Sequence, residues 1–124
     1  MCSVFELIEK DQTIYHFNSQ GRLASVEDKN GNTTTLTYAG ATLSQVTAPD
    51  GRSLAFTYDA GLRLIQVQDS TGRMLSFTYD ADANLATVVD VANQATTYTY
   101  DANHRLLTIT DANGHTFLRN VYYP

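Results

Sequence analysis

Aromatic pairs at i, i+2 recur along this chain at a near-constant interval, and that period constrains the fold more than any other feature. The pairs are Tyr15/Phe17, Leu36/Tyr38 with Leu in first place, Phe56/Tyr58, Phe77/Tyr79 and Tyr98/Tyr100; their second members stand 21, 20, 21 and 21 residues apart. Between them runs Leu-x-x-Val or Ile, at Leu23/Val26, Leu43/Val46, Leu64/Val67, Leu85/Val88 and Leu106/Ile109. A turn signal recurs in the same phase: Asn30-Gly31, Asp50-Gly51, Thr71-Gly72, Asn93-Gln94 and Asn113-Gly114.

Each unit holds two apolar segments too short for ordinary helices, separated by turn-rich segments, so the unit is predicted to be a β-hairpin. Asn-Gly and Asp-Gly supply the positive φ of a tight hairpin turn, and Tyr-Asp-Ala-x-Gly/Asn-x-Leu predicts a wider turn at the other end. The period of two puts Leu54, Phe56 and Tyr58 on one face, with Leu75, Phe77, Tyr79 and Thr96, Tyr98, Tyr100 in the same columns and Ser and Thr opposite. Leu-x-x-Val does not fit: three residues apart means opposite faces unless a bulge intervenes, and the sequence leaves that open. The composition agrees with strands and turns: 8 Tyr and 5 Phe, no Trp, and only 17% charged residues. The expected fold is all-β, an antiparallel meander of about five 21-residue hairpin repeats forming a curved sheet.

The 124 residues suffice for one domain. Residues 1–17 are expected to form an opening hairpin without the Leu-x-x-Val piece and residues 17–122 five repeats, with a truncated end at 123–124, as if cut from a longer array. The 20-residue step is placed in the shortened turn Tyr38-Ala39-Gly40-Ala41-Thr42-Leu43. The 22 residues from Tyr100 to Tyr122 predict a bulge near Leu118-Arg119-Asn120.

A net charge of -5 with no basic stripe argues against a nucleic-acid or anionic-membrane partner. A single cysteine, Cys2, excludes an intrachain disulfide and reads as a free terminal thiol. The first ten residues have neither the basic start nor the apolar run of a signal peptide or membrane span.

These residues resemble the YD-repeat family, also called Rhs (rearrangement hot spot) repeats, with a unit of approximately Tyr-Asp-x-x-Gly-Arg-Leu, then Asp-x-x-Gly and a strand back to Tyr. Tyr58-Asp59-Ala60-Gly61-Leu62-Arg63-Leu64 and Tyr100-Asp101-Ala102-Asn103-His104-Arg105-Leu106 match closely, and Phe17-Asn18-Ser19-Gln20-Gly21-Arg22-Leu23 nearly so. The departures are Ala39 at the Asp position, Thr42 and Asn84 at the Arg position, and Asn93-Gln94 in place of a Gly turn. The resemblance implies a panel of the hollow β-shell that such repeats build in bacterial polymorphic toxins, insecticidal toxin complexes and teneurin-like proteins. It implies a secreted or cell-surface setting, and carbohydrate binding has also been attributed to such repeats.

Candidate chemistry is sparse. Asp80-Ala81-Asp82-Ala83-Asn84 has the 1, 3, 5 oxygen spacing of a calcium loop, but Leu85 and Val91 stand where Gly and Glu are required, so a polar turn is expected. Asp28, Asp69, Asp90 and Asp111, and Arg22, Arg63 and Arg105, recur one or two repeats apart and read as solvated or locally paired turn charges. His16, His104 and His115 form no metal-ligand spacing. No nucleophile elbow, Cys-His pairing or phosphate loop is present.

The expectation is therefore a non-catalytic structural repeat module without a cofactor, associating with itself or with neighbouring Rhs repeats and enclosing or presenting a toxin or partner polypeptide. The other reading is a carbohydrate-binding module that stacks sugars on the face of Tyr38, Phe56, Tyr58, Phe77, Tyr79, Tyr98 and Tyr100. Packing is the favoured role for that face. The turn residues Asn30, Gly31, Asp50, Gly51, Asp59, Gly72, Asp80, Asp101, Asn113 and Gly114 are expected to shape the loops and, on the glycan reading, to hydrogen-bond hydroxyls.

Overall fold

The computed structural model describes residues 4–123; Cys2 and Pro124 lie outside them. The strands are β1 (Phe5–Ile8), β2 (Ile14–Phe17), β3 (Leu23–Glu27), β4 (Thr33–Ala39), β5 (Thr42–Thr47), β6 (Ser53–Tyr58), β7 (Leu64–Asp69), β8 (Met74–Tyr79), β9 (Leu85–Val89), β10 (Ala95–Tyr100), β11 (Leu106–Thr110) and β12 (Thr116–Arg119). Sheet order is chain order, and no helix occurs among the described residues. The fold is the antiparallel all-β meander that the repeat predicts. By its contacts the chain divides into Met1–Phe56 with Asp69–Thr71, and Thr57–Gln68 with Gly72–Pro124.

In the first unit, β2 meets β3 through Tyr15 opposite Val26 and Phe17 opposite Leu23, and β4 meets β5 through Leu36 opposite Val46 and Tyr38 opposite Leu43. In the second, β8 meets β9 through Phe77 opposite Val88 and Tyr79 opposite Leu85, and β10 meets β11 through Tyr98 opposite Ile109 and Tyr100 opposite Leu106. The register shifts by one residue at each of these junctions, leaving Ala24, Ser44, Ala86 and Leu107 as the extra residues. This settles the Leu-x-x-Val puzzle. Two residues on one strand oppose one on the other, so the bulge turns the strand by one place and brings Leu and Val onto the aromatic face.

The turns correct one expectation. A two-residue Asn-Gly turn of type I′ needs positive φ at both central residues. Here Gly31, Gly51 and Gly114 are positive, at φ 82, 90 and 82, whereas Asn30, Asp50 and Asn113 are not. The loop at residues 28–32 instead carries Gly31 N–H to Asp28 C=O at 3.0 Å and Asp28 N–H to Asn32 C=O at 3.0 Å. That is a type I turn followed by one left-handed residue. Residues 59–63, 80–84 and 101–105 close in the same way, so the "wide" and "tight" turns are one loop used at both ends of the hairpin. Leu62, Ala83 and His104 hold the left-handed place there, at φ 63, 67 and 63. Asn93, at φ 63, holds it in residues 90–94, so Asn93 and not Gln94 stands in for glycine.

The two irregular spacings also have local causes. Only Gly40 and Ala41 separate β4 from β5, with Ala39 opposite Thr42, so a two-residue turn accounts for the short repeat. In the last hairpin, Ile109 faces Leu118 while Thr110 faces Thr116, which makes Phe117 the inserted residue. The bulge predicted near residues 118–120 lies at 117.

No described residue is buried. Along β10, Tyr98 and Tyr100 are half-buried while Thr97 and Thr99 are exposed, and Phe77/Tyr79 alternate with exposed Thr78 on β8. The aromatic face is thus half-buried within this chain. Its stabilisation comes from cross-strand pairs, each contributing about 0.2–1 kcal/mol over an Ala pair.

Candidate functional site: a clamp between successive loops

Loops 59–63 and 101–105 are each organised by their first side chain. Asp59 Oδ1 accepts from Gly61 N–H at 2.9 Å and Arg63 N–H at 3.0 Å, and its Oδ2 accepts from Arg63 Nε at 2.9 Å. Asp101 does the same for Asn103, Arg105 and Arg105 Nε, at 2.9, 3.0 and 2.8 Å. Asp and Asn are selected here because a short side-chain carbonyl mimics a turn of backbone. The backbone amide of Arg63 is the first reason that the Asp59 carboxyl sits below its ordinary pKa of 3.8; the amide of Asn84 does this for Asp80, and the Asn32 side chain for Asp28.

Held by its Asp, the arginine covers the tyrosine that opens the next loop. Arg63 stands 4.7 Å from the Tyr79 ring centre, Arg105 4.5 Å from Tyr122 and Arg22 5.9 Å from Tyr38. The same tyrosines reach back to the start of the preceding repeat. Tyr79 donates to Leu64 C=O at 2.6 Å, Tyr122 to Leu106 C=O at 2.6 Å and Tyr38 to Leu23 C=O at 2.8 Å. Asp, Arg and Tyr thus form a clamp in the repeats that begin at Tyr58 and Tyr100, linking a loop to the next along the sheet. In the first clamp Asn18 replaces Asp, and the Arg22 guanidinium bonds Gln20 instead.

Asn84 breaks the series. It donates to Asp80 Oδ2 at 3.1 Å, and its Oδ1 pairs with His104 Nδ1 at 2.8 Å, a contact from the next loop that links the repeats without an arginine. Burial, followed by the charge of Asp80, raises the Tyr100 phenol above its usual pKa.

The sequence readings fare differently. The Asp80 carboxylate, the first oxygen of the calcium-like pattern, is used in closing its own turn, with Asp82 N–H at 2.9 Å and Asn84 N–H at 2.9 Å. Among the described residues no group of three His, Cys, Asp or Glu side chains is placed to hold a metal. Asp50 stands third in its loop, behind Ala48, and binds Arg52 Nε at 2.6 Å. The arginines were read as turn charges; their tyrosine partners were missed, although Arg22 and Tyr38, and Arg63 and Tyr79, share one separation of 16 positions. Also missed was a row on the Thr face: His16 Nδ1 lies 3.2 Å from Glu6 and Nε2 3.4 Å from Glu27, across β1, β2 and β3.

A meander whose units differ in sequence but repeat one hairpin pattern with the same strand bulge is a structural repeat protein. Residues 79–116 match the family described as RHS Repeat, and the motif recurs in register along the rest of the sequence. No curated protein sequence matches it. Among solved structures it is similar to TcdB2-TccC3 without its hypervariable C-terminal region, with a TM-score of 0.72 and 18% identity over 90% of this chain. It is also similar to the Tc holotoxin pore of Photorhabdus luminescens with a mutated TccC3, at 0.69 and 18% over 90%. This chain spans about 7% of the length of either.

Proposed function

We propose that the chain is a non-catalytic RHS module that extends a sheet of like repeats, as a segment or short member of a shell enclosing or presenting a toxin or partner polypeptide. The observation that carries this is the use of the motif residues. Asp59, Arg63 and Tyr79, and Asp101, Arg105 and Tyr122, are engaged in joining one repeat to the next. With no buried residue among those described to make a self-contained core, stability comes from neighbours, as in repeat arrays. The test is co-elution with a purified RHS-repeat polypeptide of the TcdB2-TccC3 kind. Joint migration at a fixed stoichiometry is expected, and separate elution at every ratio contradicts the reading.

The half-buried aromatic face supports a second reading, glycan binding by Phe56, Phe77 and Tyr98 with hydroxyl contacts from the turns. A glycan array decides it: binding lost on Tyr98→Ala supports the reading, and no binding above background removes it.

A further inference from the structure

We infer that Asn113 is a site of spontaneous covalent modification, deamidating through attack by the Gly114 amide, while the equivalent pair Asn30-Gly31 is held by its loop and reacts more slowly. The inference goes beyond the shell reading and does not depend on it.

Of the eight asparagines, only Asn30 and Asn113 precede glycine. In this reaction the glycine nitrogen attacks Cγ of the asparagine. A C–N bond closes a succinimide ring, the Cγ–Nδ2 bond breaks, and the side-chain nitrogen leaves as ammonia with the proton that the glycine amide loses. Water then opens the ring at either carbonyl to leave aspartate or isoaspartate, with nothing oxidised or reduced. Glycine permits the attack because no Cβ stands beside its nitrogen. Both asparagines are exposed, and among the described residues neither side-chain amide has a hydrogen-bond partner.

The rate is decided by release of the glycine nitrogen. Gly31 N–H donates to Asp28 C=O and Gly114 N–H to Asp111 C=O, each at 3.0 Å, so attack requires the loop to open. The hold of each Asp on the backbone is alike: Asp28 Oδ1 accepts from Asn30 and Asn32 N–H at 2.8 and 3.0 Å, and Asp111 Oδ1 from Asn113 and His115 N–H at 3.0 and 2.9 Å. Loop 28–32 has two further ties. Asn32 Nδ2 donates to Asp28 Oδ2 at 2.9 Å, and Thr33 Oγ1 donates to the carbonyl of Gly31 itself at 3.3 Å. In loop 111–115 the His115 ring stands 3.6 Å from Asp111 Oδ2, beyond hydrogen-bond reach. The contact of Thr110 Oγ1 with Thr116 Oγ1 at 2.9 Å lies below that loop and touches neither Asn113 nor Gly114.

The strands beneath the loops differ in the same sense. Glu27/Thr33, Val26/Thr34 and Ser25/Thr35 pair in unbroken register below loop 28–32, whereas the ladder below loop 111–115 shifts directly after Thr110/Thr116. Reaction at Asn113 adds a negative charge to the loop of Asp111, and isoaspartate lengthens the backbone of that loop by one carbon.

The test is incubation of the intact chain at mildly alkaline pH, with ammonia release and peptide mapping by mass spectrometry. Asn113 should react about 2- to 10-fold faster than Asn30, the ratio supplied by one net hydrogen bond in the opening step. In urea the two sites should react at closely similar rates. Asn32→Ala should raise the Asn30 rate toward that of Asn113, and Thr33→Val, which removes only the tie to Gly31, serves where circular dichroism shows Asn32→Ala unfolded. Asn113→Gln should abolish the faster phase. Equal rates in the folded chain, a faster Asn30, an Asn113 that stays intact when folded, or an Asn30 rate unmoved by both variants overturns the inference.

Discussion

The hydroxyl of Tyr79 donates to the carbonyl of Leu64 across 2.6 Å, tying the tyrosine that opens one loop to the residue that closes the loop before it. Tyrosine at this place does what phenylalanine cannot. Phe17 holds the equivalent position in β2 and packs against Phe5 instead, with ring centres 5.8 Å apart. Tyr79→Phe should therefore lower the unfolding free energy by about 0.5–1.5 kcal/mol, the usual net worth of a hydrogen bond with a part-buried carbonyl left behind. Urea denaturation followed by circular dichroism measures it.

The loop carboxylates predict an acid limb. Asp28, Asp59 and Asp80 have folded pKa values below 3.8, from hydrogen bonds donated by Asn32, Arg63 and Asn84 first of all. A depressed carboxylate stabilises the fold above its unfolded pKa and loses that contribution as pH falls through the folded value. Thermal stability should be flat from neutrality to just above pH 3.8 and then decline. Asp59→Asn should make the decline shallower, and an unchanged acid limb in that variant contradicts the assignment.

The left-handed loop position predicts opposite effects of glycine. Gly51 has φ 90 and no atom within 4 Å of an added Cβ, so Gly51→Ala is penalised through the backbone alone, by about 1 kcal/mol. Leu62 already bears that strain at φ 63. Leu62→Gly should be neutral to stabilising by up to about 1 kcal/mol, read from the denaturation midpoint.

Asn84 occupies the arginine position of the fourth repeat, opposite a Tyr100 ring that no arginine covers. Asn84→Arg should recreate the contact seen between Arg63 and Tyr79 and raise stability by about 0.5 kcal/mol, the exposed cation–π value. Loss of the Asn84 to His104 bond offsets part of that gain. A fall in melting temperature would show that the His104 contact is worth more than the clamp.

The repeat was legible because its markers are local. Tyr, Gly and Leu recur at fixed spacing, and a period of two assigns faces within a strand without reference to neighbours. What escaped notice depends on pairing. Leu23 and Val26 share a face only because Ala24 bulges against β2, a fact of register between strands. Asn30-Gly31 resembles the signature of a two-residue turn, but Asp28, two residues before, captures the amides of Asn30 and Asn32 and widens the loop. The clamp was half visible: the arginines stood out as a series, while the last ring, Tyr122, was set off the period by the insertion at Phe117. The Glu6, His16 and Glu27 row has no sequence signature, since it joins three strands on one face.

The most direct test of the clamp is a double-mutant cycle of Arg63→Ala and Tyr79→Leu, with unfolding free energies for the four proteins. Because the guanidinium stands 4.7 Å over the ring and is fixed by Asp59, the two losses should couple by about 0.5–1 kcal/mol. Additivity within about 0.3 kcal/mol would mean that the arginine and the tyrosine stabilise the sheet independently and that the repeats are not joined in this way.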